Sequence, residues 1–71
     1  NPERGGMEIC FNGAPQEISD GTTISAFLAE RNLRPAEVVA EVNDEILGPD
    51  DLGRLLRPQD RLNAFRIVAG G

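Results

Sequence analysis

Apolar and polar residues alternate from Met7 to Phe11, with Met7, Ile9 and Phe11 on one side and Glu8 and Cys10 on the other. That is the period of a half-buried strand. Asn12-Gly13 follows at once, and because both residues tolerate positive φ the dipeptide predicts a hairpin, with a second strand over about Ala14 to Ile18. Asp20-Gly21 turns the chain, and Thr22 or Thr23 is placed to cap a helix. Ile24, Phe27 and Leu28 fall at i, i+3 and i+4, which gives a helix over about Ile24 to Arg31 one apolar face. Asn32, a residue that accepts the left-handed conformation, marks its end, and Pro35 lies shortly beyond.

Val38-Val39-Ala40-Glu41-Val42 is rich in β-branched residues and reads as a third strand. Asn43-Asp44 turns it back into a short strand, Glu45-Ile46-Leu47. Gly48-Pro49-Asp50-Asp51 breaks that strand, and Leu52, Leu55 and Leu56 are spaced for one helical or 3₁₀ turn plugging the core. Arg57-Pro58-Gln59-Asp60 predicts a type I turn with proline in its second place. The last strand runs from Arg61 to about Ile67, with Leu62 and Ala64 facing the core and Asn63 and Phe65 facing away. One helix laid over a mixed sheet buries one sheet face, and a right-handed crossover makes the first and last strands parallel neighbours in the middle. The expected fold is therefore α+β, a β-grasp with four to five strands, one main helix and a short helical turn. Residues 1–6, polar and rich in Pro and Gly, are expected to be a disordered leader or an expression remnant, and residues 7–71 the domain.

At 71 residues the chain is one small domain, burying only roughly 60% of the surface its unfolded form exposes, with little room for an enclosed pocket. It has no histidine, tryptophan or tyrosine and one cysteine, which removes the usual general base, most metal sites and any Ser-His or Cys-His nucleophile. Seven arginines face twelve acids, for a net charge of -5, and there is no lysine. A net-acidic chain without a basic cluster is a poor ligand for nucleic acid or an anionic membrane, so the expected partners are proteins and the expected free state a monomer. The missing lysines also leave no side-chain amine for isopeptide attachment to a copy of itself. One cysteine fits a reducing compartment, and no apolar run approaches a membrane span or signal segment. A cytoplasmic protein is expected.

The chain closes on Val68-Ala69-Gly70-Gly71 directly after a strand-like run. Two glycines in a row can thread a narrow channel in another protein, which makes the Gly71 carboxylate the candidate reacting group and Val68 to Gly70 its mobile lead. Phe65 shares the outer sheet face with Val39, a candidate docking patch beside the tail, and alternation puts Cys10 on that same face of the sheet. Cys10, a lone cysteine on a strand with no basic neighbour in sequence, reads as a small hydrophobe outside the chemistry. Asp44, Glu45, Asp50 and Asp51 read as a solvated charge run, without EF-hand spacing, and no metal is expected.

The opening Met7-Glu8-Ile9-Cys10-Phe11-Asn12-Gly13, the turn Val42-Asn43-Asp44-Glu45-Ile46 and the closing Phe65-Arg66-Ile67-Val68-Ala69-Gly70-Gly71 together resemble the ThiS family. These are the ubiquitin-like sulfur carriers of thiamin biosynthesis, and the resemblance spans Met7 to Gly71. Two places depart from the family's pattern. Gly48-Pro49-Asp50-Asp51 is acidic where a basic or Pro-Arg step is usual, and Gln59-Asp60 stands where Gly-Asp is usual. The resemblance implies that a ubiquitin-activating-type adenylyltransferase of the ThiF kind, using ATP and magnesium that this chain does not itself bind, adenylates the Gly71 carboxylate. A persulfide sulfur from a donor such as a cysteine desulfurase then displaces AMP, and thiazole synthase of the ThiG kind takes the sulfur from the resulting thiocarboxylate. On that reading the chain is a protein co-substrate and not an enzyme. The small subunit of molybdopterin synthase, a carrier serving another sulfur metabolite, and a non-catalytic β-grasp binding module remain alternatives.

Overall fold

The computed structural model describes residues 6–67. Most of the expected leader, and Val68, Ala69, Gly70 and Gly71 of the expected tail, lie outside the described residues. In chain order the elements are β1 (Gly6–Phe11), β2 (Ala14–Ser19), α1 (Ile24–Glu30), a 3₁₀ turn (Pro35–Glu37), β3 (Val38–Val42), β4 (Glu45–Ile46), a second 3₁₀ turn (Pro49–Asp51) and β5 (Arg61–Arg66). The five strands form one sheet in the order β2-β1-β5-β3-β4. β5 lies parallel to β1, with Cys10 opposite Arg61 and Phe11 opposite Leu62, and antiparallel to β3 over Val38–Val42. The expected central parallel pair is present. β1 begins one residue earlier than expected, since Gly6 pairs with Ser19.

Both hairpin turns have positive φ at two successive residues, Asn12 (49°) with Gly13 (86°) and Asn43 (52°) with Asp44 (74°). This is the type I′ signature, whose backbone twist matches that of the flanking strands. Thr23 is the helix cap, its hydroxyl accepting from the Ala26 N–H at 3.1 Å. At the other end Asn32 takes φ 60°. The Leu33 and Asn32 N–H groups donate to the Leu28 and Ala29 carbonyls, each at 3.0 Å. These paired bonds form a Schellman closure, here built on asparagine. Ile24, Phe27 and Leu28 bury the apolar face of α1 against Ile9, Ala40, Val42, Leu62 and Ala64 from the sheet. The Phe11 ring meets Phe27 edge-on at 4.9 Å, and the Arg31 guanidinium lies 3.9 Å from the Phe27 centroid while donating to Gln16 Oε1. An aliphatic stem and a flat cation thus cover the rim of the core.

Two local expectations are corrected. The 3₁₀ turn lies on Pro49–Asp51, not on the leucines after it, because proline is already set for a first helical position and Asp51 Oδ2 accepts the Gly48 N–H at 2.8 Å. Leu52 and Leu56 still pack on the core, but Leu55 is exposed. Its segment is instead strapped to the start of α1, through Ile24 N–H to the Arg54 carbonyl and Leu56 N–H to the Thr22 carbonyl.

The turn before β5 is type II, not type I. Gln59 has φ 72° and the Asp60 N–H donates to the Arg57 carbonyl at 3.1 Å, and positive φ in the third place defines type II. Proline in the second place suits both types, so Pro58 does not discriminate. A side chain in that conformation costs roughly 1–2 kcal/mol, partly offset because glycine loses roughly 0.5–1 kcal/mol more chain entropy on folding. Gln59→Gly is therefore expected to stabilise the domain by about 0.5–1 kcal/mol, read as a higher denaturant midpoint at unchanged slope. An unchanged or lower midpoint overturns the strain assigned to Gln59.

Candidate functional site

The site is built from the outer face of the sheet, which α1 leaves uncovered. Leu62 and Ala64 point into the core while Phe65 is 56% exposed, as the alternation predicted. Val39 lies directly opposite Phe65 in the β3–β5 register and is 40% exposed. The two form one cross-strand pair, which is the unit by which sheet surfaces are organised.

Two further apolar residues join them that sequence reasoning did not select. Ile67, 55% exposed, sits one step past β5 and keeps its parity, its N–H donating to the Glu37 carbonyl at 2.8 Å. Ile46, 69% exposed, pairs with outward-facing Glu41 on the neighbouring strand. The signal for both was already in the pattern: continuing the alternation two residues beyond Phe65 reaches Ile67, and folding the second hairpin about Asn43-Asp44 sets Ile46 against Glu41. Of the five large apolar residues that stand exposed among the described ones, four lie on this face and only Leu55 lies elsewhere. Scattered exposed apolar side chains need no explanation, but their concentration on one face makes that face the candidate docking surface. Polar groups edge it, with Asn63 Nδ2 3.5 Å from Glu41 Oε1.

Cys10 does not belong to this patch. It lies on the outer face but opposite Arg61 and Pro15, four residues down β5 from Phe65, a separation of roughly 13 Å at the usual strand rise. The acids are dispersed into local structural work. Asp51 caps the second 3₁₀ turn, and Asp44 lies 3.4 Å from Arg61 in an exposed ion pair. Asp60 accepts from the Asn43 side chain and the Arg57 N–H. Among the described residues no three His, Cys, Asp or Glu side chains gather as a metal site would require, and no helix is long and apolar enough to cross a membrane.

The geometry thus defines a β-grasp domain whose central strand carries exposed apolar residues on the sheet face that α1 leaves uncovered. The match to a family model makes the class specific: the chain belongs to the ThiS family, over residues 9–71. Among solved structures it is similar to the thiamine biosynthesis protein ThiS from Geobacter metallireducens, at 19% identity and a TM-score of 0.77, covering 92% of this chain and 100% of that one. At that identity the likeness speaks for the fold. No curated protein matches the chain.

Proposed function

We propose that this protein is the sulfur carrier of thiazole formation in thiamin biosynthesis, and that its reacting group is the Gly71 carboxylate. The observation that carries the reading is the family match, which runs through to Gly71. The chemistry explains why a carrier needs such an end. A carboxylate is a poor acyl donor because oxide would have to leave. Attack of a Gly71 oxygen on the α-phosphorus of ATP releases pyrophosphate and installs AMP, a good leaving group, on the acyl carbon. The terminal sulfur of a donor persulfide then bonds that carbon as AMP departs. Reduction of the remaining S–S bond by a thiol leaves a thiocarboxylate, a nucleophilic sulfur delivered without free sulfide. Magnesium and ATP belong to the adenylating partner, and a thiazole-forming synthase is the acceptor.

The outer apolar face supports the docking half of this reading. Val39, Phe65 and Ile67 lie where β5 hands the chain on to Val68, Ala69 and Gly70, so an enzyme gripping that patch receives the terminus in the same encounter. The test is direct: the protein is incubated with a ThiF-type adenylyltransferase, ATP, magnesium and a persulfide donor, then weighed by intact mass spectrometry. Replacement of one oxygen by one sulfur on the C-terminal fragment is expected. A mass unchanged under conditions that load a known carrier would overturn the proposal.

A further inference from the structure

β1 gives out at Phe11, opposite Leu62, whereas β5 continues for four more residues to Arg66. Over that stretch β3 pairs with one side of β5 as far as Val38 opposite Arg66. On the other side the ladder is continued by a side chain. The Asn12 N–H donates to the Leu62 carbonyl at 2.9 Å, its Oδ1 accepts the Ala64 N–H at 2.9 Å, and its Nδ2 donates to the Ala64 carbonyl at 3.3 Å. One side-chain amide stands in for the peptide group that another residue of β1 would have supplied.

Few residues can do this. The position has φ 49°, which asparagine tolerates. Glycine tolerates it too but carries no amide, aspartate lacks the donor, and glutamine is one methylene too long for the same reach. The hairpin alone would be satisfied by glycine, so the turn does not account for the two bonds to Ala64. They are the last tie on that side of β5 among the described residues, with Phe65, Arg66 and Ile67 beyond.

We propose that Asn12 is a positioning residue for the reaction at the terminus: by clamping Ala64 it fixes where and in which direction β5 releases the tail. This rests on the carrier reading given above. With the clamp gone, the end of β5 is held from the β3 side alone, by the pairing as far as Arg66 and the bond from the Ile67 N–H to the Glu37 carbonyl. The order lost on the other side must be regained when the partner binds. Ordering about one residue's backbone corresponds to roughly a fivefold change in affinity.

The discriminating variant is Asn12→Gly, which keeps the turn and deletes the side-chain bonds. The Ala64 amide is expected to exchange with solvent at least about tenfold faster, with lower order parameters over Phe65–Ile67. The KM for the carrier in the adenylation assay is expected to rise about fivefold, with kcat essentially unchanged. Asn12→Asp, which restores the acceptor for the Ala64 N–H, should recover most of both. Unchanged exchange at Ala64, faster exchange with unaltered KM, an N12D as impaired as N12G, or an N12G that no longer folds would each overturn the role. Failure of the wild-type protein to be adenylated at all removes the carrier reading itself, whereas normal wild-type loading with an indifferent N12G removes only this inference.

Discussion

Deletion of Gly71 is expected to abolish sulfur loading while leaving the melting temperature where it was. The argument is one of reach. Four residues separate Ile67 from the terminus, a contour of at most roughly 14 Å, and each residue removed shortens it by about 3.5 Å. The truncated chain still ends in a glycine carboxylate, so the chemical group is retained and only its position changes. Reacting atoms must approach within about 3–3.5 Å, and a shortfall of one residue is as large as that whole distance. Stability is not expected to follow, because among the described residues the last member of the buried core set is Ala64. Intact-mass measurement of loading beside a thermal melt separates the two effects. Loading of the truncated protein at the wild-type rate would show that the reaction does not depend on the reach that Gly71 supplies.

The second large effect comes from two residues three apart on β5 whose roles are opposite. Leu62 is 0% exposed at the centre of the sheet, and Leu62→Ala is expected to cost about 2–5 kcal/mol. A domain of 71 residues commands roughly 4–11 kcal/mol in all at the usual stability per residue. The mutant therefore melts at least about 10 °C lower. Phe65→Ala removes an outward ring and leaves no core cavity, so the expected stability change is within about 0.5 kcal/mol. Its cost appears in titration with the adenylating partner, as affinity at least about tenfold weaker, the usual loss for an apolar anchor at an interface centre. Phe65→Ala unfolding the domain while Leu62→Ala leaves it intact would reverse the strand parity and remove the docking face.

That parity is legible in the order of residues alone, because strands whose two faces meet different surroundings write the difference into every second residue. Leu62 and Ala64 against Asn63 and Phe65, and Val38, Ala40 and Val42 against Val39 and Glu41, are such records. Hairpins are equally plain, since Asn12-Gly13 and Asn43-Asp44 announce backbone angles most residues avoid. The turn at Gln59 is not, because nothing in a glutamine announces positive φ; its neighbours impose it. The same holds for Leu55, whose spacing fits a core-facing turn, whereas the bonds from Ile24 and Leu56 take its segment along the start of α1. Alternation places Cys10 on the correct face but at the wrong level, since face follows from local pattern while level follows from the stagger between β1 and β5. The Asn12 clamp is hidden for a related reason: the turn gives asparagine one sufficient explanation, and only the long-range register reveals the second.

The sheet order has a kinetic consequence. The β1–β2 and β3–β4 hairpins lie on opposite sides of β5, so neither half of the sheet can be joined to the other until β5, the last of the described elements along the chain, takes its place. Each hairpin is marginal on its own in water, and of the two pairings that unite them the β1–β5 one spans most of the sequence, with Cys10 opposite Arg61. Chains dominated by such distant pairings fold in milliseconds to seconds, not microseconds. A chain being synthesised from its N-terminus therefore cannot complete the sheet until β5 is free of the ribosome, and the domain then closes around the strand that bears the exposed Phe65.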